Sequence, residues 1–446
     1  MSKQDIADYV FKTPQNTNPA ILNQKLDELI KENEGGGASP SAKWNDVTFI
    51  DYDGSVLYSY GLAEAQALTE LPPLPNHDGL VCQGWNWTLE AIKALNRPVT
   101  VGTMYITDDG ATKLRIRIAT VERMTVPLYI GQTVDNGVSI DWGDGSAAET
   151  LAGTGYVNTS HTYEEPGDYV ISLMPEDGCT LSFGANSESY RVMGSIEDSG
   201  TVYLNMLRDV SIGKNVTSIG SYAFCSCFSL ARVTIPDGVT SIEAYAFSSC
   251  FSLARVTIPD GVTSIGDNAF SSCHSLTRVT IPDGVTSISN YAFNNCSSLA
   301  SITIPDGVTS IGSYAFNSCS SLASITIPDG VTSISNNAFS NCSSVVRVTI
   351  PDGVTSISSR AFSFCSSLTR VTILDGVTSI DKNAFSYCYG MRYYDFSVCT
   401  AVPSLSNTSA FDGIPSDCQM LIPTALYDEW SAATNWATYA SKMVAV

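Results

Sequence analysis

One phrase, Val-Thr-Ile-Pro-Asp-Gly-Val-Thr-Ser-Ile, recurs through the second half of this 446-residue chain and leaves few folds open to it. The isoleucine that closes its first half stands at Ile212, Ile235, Ile258, Ile281, Ile304, Ile327, Ile350 and Ile373, always 23 residues apart, and Phe396 takes the next place. A fixed period of this size marks a solenoid or related array, because one unit cannot bury its own apolar face and stacked units can. The expected fold is mainly β: a solenoid of about eight 23-residue coils over 191–396, preceded by small β domains and a short N-terminal helical segment. With strands about 4.8 Å apart, eight coils make a rod of roughly 40 Å.

The copy from Arg255 to Leu276 shows what each position does. Arg255-Val256-Thr257-Ile258 alternates polar and apolar, so Val256 and Ile258 point inward while Arg255 and Thr257 point out. Pro259 has no N–H to give a ladder and ends the strand. Asp260-Gly261 is turn chemistry, with positive φ expected at the glycine. Val262, Ile265, Ala269, Phe270, Cys273 and Leu276 then fill the coil. The full pattern, Ile-Pro-Asp-Gly-Val-Thr-Ser-Ile…Ala-Phe…Cys-Ser-Ser-Leu as at Ile304 to Leu322, resembles the BspA-like class of leucine-rich repeats. The resemblance implies an adhesion or recognition module rather than an enzyme.

Three ladders carry chemistry-bearing side chains. Cysteines recur at Cys227, Cys250, Cys273, Cys296, Cys319, Cys342, Cys365 and Cys388. They read either as a disulfide or metal array or as small buried side chains. The second is favoured, since stacked side chains point in parallel and no His accompanies them at ligand spacing; Cys225 is expected to point the other way. Asp237, Asp260, Asp283, Asp306, Asp329, Asp352 and Asp375 form an acidic ladder, favoured as turn residues over a Ca²⁺ row. Arg232, Arg255, Arg278, Arg347 and Arg370, interrupted by Ser301 and Ser324, form a basic row that is either a solvated strand face or a contact for anionic sugars.

The copies differ most at a pair before Ala-Phe: Ser221-Tyr222, Ala244-Tyr245, Asp267-Asn268, Asn290-Tyr291, Ser313-Tyr314, Asn336-Asn337, Ser359-Arg360 and Lys382-Asn383. A row of Tyr222, Tyr245, Asn268, Tyr291, Tyr314, Asn337 and Arg360 on one edge suits weak, repeated binding of glycan or protein, and equally suits surface drift.

Net charge is −21 and unevenly placed: residues 1–200 hold 28 acids and 12 bases (−16), while 201–390 hold 11 and 9 (−2). An acidic chain without a basic block argues against nucleic acid and anionic membrane as partners. No apolar leader region, anchor or 18-residue apolar run is visible, and thirteen cysteines without paired spacing fit a reducing compartment. Asn18-Pro19 opens a helix with Ile21, Leu22, Leu26, Leu29 and Ile30 on one stripe, ending at Gly35-Gly36-Gly37, so 1–37 is expected to dock or form a homo-oligomer. The segment Asp8-Tyr9-Val10 … Thr13-Pro14-Gln15-Asn16-Thr17-Asn18-Pro19-Ala20-Ile21-Leu22 resembles the N-terminal piece of head-fibre-type and other appendage proteins of tailed phages.

Residues 38–97, with Asp51-Tyr52-Asp53-Gly54 and Gly84-Trp85, resemble a small β-grasp-like repeat of bacterial surface proteins, although Leu89–Leu95 has helical spacing where that family has a strand. Trp85 and Trp87 read as core or as sugar platforms. Residues 98–190 read as all-β, with strands over Thr100–Ile106, Leu114–Ile118, Val126–Ile130, Val138–Trp142 and Tyr169–Leu173. Trp142-Gly143-Asp144-Gly145-Ser146 with His161-Thr162-Tyr163 resembles a PKD-like β-sandwich, in which both motifs are structural. Residues about 191–211 are expected to bridge into the solenoid and cap its first coil, and residues 397–446, with helical spacing around Trp430 and Trp436, to close its far end.

His77, His161 and His274 are scattered, and no phosphate loop, metal set or nucleophile elbow occurs, so no catalysis, cofactor or metal is expected. The reading taken from the sequence is a non-enzymatic virion appendage, docked to a capsid or tail protein through 1–37 and displaying the solenoid to host-surface or mucosal glycan or protein. The alternative is a bacterial cell-surface adhesin.

Overall fold

The computed structural model describes residues 46–446 apart from 51–55, 76–79, 86–88, 94–99, 108–109, 120–123, 185–190, 195–202 and 204. The docking stripe Ile21, Leu22, Leu26, Leu29 and Ile30, together with His77 and Trp87, lies outside these residues. The chain forms two compact units: the smaller holds residues up to Ala111 with Asp141–Ala148 and Gly167–Val170, and the larger holds the rest.

In the smaller unit, β1 (Asp46–Ile50) and β2 (Val56–Gly61) form an antiparallel hairpin with Val47 opposite Tyr60 and Phe49 opposite Tyr58. A five-residue helix α1 (Leu62–Gln66), β3 (Leu80–Trp85), helix α2 (Leu89–Lys93) and β4 (Thr100–Thr107) follow. The sheet order is β2-β1-β4-β3, with β4 parallel to β1 and antiparallel to β3. The strand read from the sequence as opening the all-β stretch therefore pairs with β1 and β3 and not with the strands after it. Alternation places Val47 and Phe49 on one face, where they bury against Ala65 and Ile92. Phe49 meets the rings of Tyr58 and Tyr60 edge-on, at centroid distances of 6.5 and 5.8 Å.

The strands that follow are β5 (Thr112–Ile118), β6 (Thr125–Gln132), β7 (Val138–Asp141), β8 (Glu149–Thr150), β9 (Gly155–Thr162), β10 (Gly167–Pro175) and β11 (Leu181–Ser182). These strands divide between two sheets, one ordered β11-β6-β9 and one containing β5-β10-β7-β8. The Trp-Gly-Asp-Gly motif is a turn. Gly143 and Gly145 take left-handed φ of 76° and 85°, and the Asp141 and Asp144 carboxylates accept the Gly143 and Ser146 N–H groups at 2.9 and 3.0 Å. His161 sits opposite Val126 in the β6–β9 pair, its ring edge-on to Tyr163.

The solenoid's first rung is β12 (Leu207–Ser211), at the end of the segment expected to bridge into the solenoid and cap its first coil. It pairs parallel with Arg232–Thr234 on one side and antiparallel with β5 on the other. That antiparallel partner covers an edge that would otherwise offer unpaired N–H and C=O groups to other chains. Successive rungs then pair in parallel at a strict step of 23: Arg232 with Arg255, Arg255 with Arg278, Arg278 with Ser301. A second parallel row of Ser-Ile pairs runs beside it, as in Ser241 with Ser264 and Ile311 with Ile334. Gln419–Ile422 and Met443–Ala445 add rungs beyond the repeats, so the stack reaches about ten coils.

A column of buried phenylalanines runs along the solenoid. From Phe224 to Phe411 neighbouring rings are near-parallel with centroids 5.2 to 5.7 Å apart. Phe183, ahead of the first coil, meets Phe224 at 5.8 Å. At the far end the helix Tyr427–Ala432 and the 3-10 turn Trp436–Lys442 bring Trp430 and Trp436 over Phe396, and Tyr439 over Phe411. This aromatic tail contributes strands as well as helix.

One expectation is corrected. The Pro-Asp-Gly glycines are not left-handed. At some of them consecutive coils nearly touch: a Cβ at Gly261 would stand 2.8 Å from the Asp237 carbonyl oxygen and one at Gly353 2.6 Å from that of Asp329, whereas at Gly238 the nearest atom would be an ordinary 3.5 Å away. The left-handed backbone lies at side-chain-bearing residues instead.

Candidate functional site

The eight ladder cysteines are buried thiols, none in a disulfide. From Cys250 to Cys388 each Sγ donates to the carbonyl oxygen of the phenylalanine 26 residues earlier, at 3.2 Å, as Cys319 does to Phe293. Burial pushes these thiols up, to about 12 at Cys296, Cys342 and Cys388. They are packing elements that also satisfy a carbonyl, and they are not nucleophiles. Cys225 is also buried, at the position that holds Ser248, Ser271, Ser340, Ser363 and Ser386 in later coils.

The acidic ladder is exposed, and its carboxylates stitch neighbouring turns: Asp352 accepts the Asp375 N–H at 3.0 Å, and Asp375 accepts the Thr400 hydroxyl at 2.9 Å. Among the described residues no group of three or more His, Cys, Asp or Glu is placed to hold a metal.

Parallel register sets Arg232, Arg255 and Arg278 side by side on one strand face, and Arg347 beside Arg370 further along. Arg370 donates to the Asp395 carboxylate. Burial alone would raise the Asp395 carboxyl, but hydrogen bonds from Ser397 and Arg370 outweigh it and hold it below the usual range. The basic row is thus two clusters, divided at Ser301 and Ser324.

The variable row has a backbone role. Tyr222, Tyr245, Asn268, Tyr291, Tyr314, Asn337 and Arg360 all have φ between 56° and 61°. Their amides donate to the next coil: Tyr222 N–H to Ala244 O at 3.0 Å, Tyr291 N–H to Ser313 O at 2.9 Å. A left-handed turn costs a non-glycine residue about 1–2 kcal/mol, which the inter-coil bond it directs offsets. The tyrosine rings stack in two pairs, Tyr222 on Tyr245 and Tyr291 on Tyr314, each with centroids 4.7 Å apart. Asn268 separates the pairs, and Asn337 and Arg360 follow the second.

A second left-handed column lies four residues on: Ser226, Ser249, Ser272, Asn295, Ser318, Asn341, Phe364 and Tyr387. Beside it, two residues further, runs the column Phe228, Phe251, His274, Ser297, Ser320, Ser343. Together they form a groove of about 510 Å³ with His274 at one end and Phe364 at the other. Ser297, Ser320 and Ser343 lie along its length beside Asn295, Ser318 and Asn341. Sequence reasoning missed this groove. The signal was a change of side-chain class at two repeat positions: from Phe228, Phe251 and His274 to serine at one, and from serine and asparagine to Phe364 and Tyr387 at the other.

A family model described as the BspA type leucine rich repeat region matches residues 196–323 and 263–392, in six copies. The repeat region belongs to the BspA-type leucine-rich repeat family. A Treponema pallidum (T. pallidum) leucine rich repeat protein is similar at 30% identity, over 41% of this chain and 83% of that one, with a TM-score of 0.33. A leucine rich cell surface protein from Faecalibacterium prausnitzii shares 28% identity over 54% and 83%, TM-score 0.29. The pneumococcal vaccine antigen PcpA shares 17% over 54% and 66%, TM-score 0.36. No curated protein matches the chain. The matched residues are the ones whose strands pair in parallel at a 23-residue step.

Proposed function

We propose that this chain is a non-enzymatic recognition protein of the bacterial cell-surface type, whose BspA-type solenoid presents repeated side-chain columns to a host-surface glycan or protein. The observation that carries this reading is the division of labour within each coil. The residues with reactive chemistry, the cysteines, are consumed in the core, while the half-buried and exposed columns change identity from coil to coil over an unchanged frame. An array of this kind gains affinity by repetition, each weak contact raising the effective concentration of the next.

The virion-appendage reading is carried by residues 8–22, outside the described part of the chain, and the repeat family adds nothing to it. Peptide mass spectrometry on source-culture fractions separates the two. Recovery of this chain in the cell envelope is expected. Stoichiometric recovery in nuclease-treated virus-sized particles would overturn the surface reading in favour of the capsid or tail attachment.

A further inference from the structure

We infer that the groove between His274 and Phe364 is a binding site for a neutral, hydroxyl-rich oligosaccharide. This deepens the recognition reading above and rests on it. Three features of the groove carry the inference: its ends, its length and its charge.

Each end is an aromatic stack. Phe228, Phe251 and His274 form one, with successive centroids at 4.7 and 5.0 Å. Phe364 and Tyr387 form the other at 4.7 Å, and Tyr389 adjoins it at 6.1 Å. These rings are held at the surface: Phe251 is 40% exposed, Phe364 43% and Tyr389 60%. Exposed, pre-stacked rings present apolar faces that cannot be buried within the chain. The C–H face of a pyranose ring is a fitting partner for such a platform.

Between the stacks the groove is polar and its hydroxyls have a defined direction. Ser320 donates to the Ser297 carbonyl and Ser343 to the Ser320 carbonyl, each at 3.3 Å. A hydroxyl whose proton is so committed keeps its lone pairs to accept from a ligand. His274 is oriented likewise. Its Nδ1 lies 2.9 Å from the Asn295 carbonyl oxygen, which only accepts, so Nδ1 carries the proton and Nε2 of the neutral ring has a lone pair. The Asn295 and Asn341 side chains supply amides. A floor rich in acceptors suits a ligand rich in O–H donors.

The groove is long and uncharged. It spans four coil steps, roughly 19 Å at about 4.8 Å each, which fits an oligosaccharide better than one ring. None of its lining residues is Asp, Glu, Lys or Arg, on a chain of net charge −21. Anionic ligands would find their cations on the Arg232–Arg278 strand face instead.

The test is affinity electrophoresis of the full chain through gels containing, separately, an α-glucan, a mixed-linkage β-glucan, a mannan, a galactan and dextran sulfate. At least one neutral polysaccharide is expected to retard the chain. Phe364→Ala and His274→Ala should each weaken that retardation about tenfold, the loss of one stacking platform. Ser320→Gln, which fills the floor without touching either stack, should weaken it too, while Arg278→Ala on the strand face leaves it unchanged. Equal urea midpoints for all variants establish that folding is intact. Failure of every neutral polysaccharide to retard the chain overturns the proposal, as does retardation that Phe364→Ala, His274→Ala and Ser320→Gln all leave intact. Retardation by dextran sulfate alone, lost in Arg278→Ala, overturns it in favour of the strand face. A parallel assay on mucin-coated and host-cell surfaces tells the two readings apart. Surface binding that ignores the groove variants sinks the groove alone, whereas no binding to any surface or glycan sinks the recognition reading as well.

Discussion

The phenylalanine column inside the solenoid and the left-handed column on its edge repeat at the same 23-residue step, yet they accept very different sequences. From Phe224 to Phe385 the inner position is phenylalanine in every coil. The edge position passes through Tyr222, Tyr245, Asn268, Tyr291, Tyr314, Asn337, Arg360 and Asn383. An interior ring is bounded above, below and on both sides, so its volume is specified. An edge residue is asked mainly for a backbone conformation and an N–H aimed at the next coil; its side chain is only partly enclosed. Periodicity therefore marks a position as structural without saying whether the side chain or the backbone is what repeats.

The comparison can be broken most directly at the core. Phe316→Ala removes one ring from the middle of the stack and should cost about 3–5 kcal/mol, read from the shift in urea midpoint. Because coils are stabilised by their neighbours, the transition should also broaden as the two halves lose coupling. A cost near that of a surface change would show that the column is not the source of stability.

A second, smaller effect tests whether the cysteines belong with the core. Their folded pKa values are raised above the ordinary thiol range, so folding keeps them protonated where the unfolded chain would release the proton. The unfolded state then binds fewer protons than the native state, and stability falls as pH rises. Stability should be complete below about pH 9 and decline toward pH 12, the value reached by Cys296, Cys342 and Cys388. At pH 8 a chromogenic thiol reagent should find these cysteines only after denaturation. Rapid labelling of the native chain would place them on the surface and remove them from the core.

The smallest effect is expected on the edge. Tyr314→Asn exchanges a half-buried ring for a residue that tolerates left-handed backbone, and should change stability by no more than about 0.5 kcal/mol. A loss as large as that of Phe316→Ala would show that the edge is packed as tightly as the interior, and the contrast would disappear.

Much of this was legible from the residues. Alternation in Arg255-Val256-Thr257-Ile258 placed Val256 and Ile258 inside, and both are buried. The parallel side-chain direction of stacked coils indicated thiols and not disulfides, and the thiols are free. The Pro-Asp-Gly turn was legible as a turn, but the reason for its glycine was not, because the neighbouring carbonyl that excludes a Cβ belongs to the previous coil. The groove was missed for a related reason: its residues belong to five coils and two repeat positions, and each position separately looks like surface variation.

The sequence by itself determined the period, the inward ladders and the solenoid, because hydrophobic alternation and a fixed repeat length leave one economical way to bury every coil. Only the tertiary structure decided where the backbone turns left-handed, which glycines are indispensable, that β5 covers the first rung, and which of the varying columns line a groove. Those features depend on how close one coil comes to the next and on where an amide must point to reach it. They are distances across 23 residues of chain, and no local pattern of side chains records them.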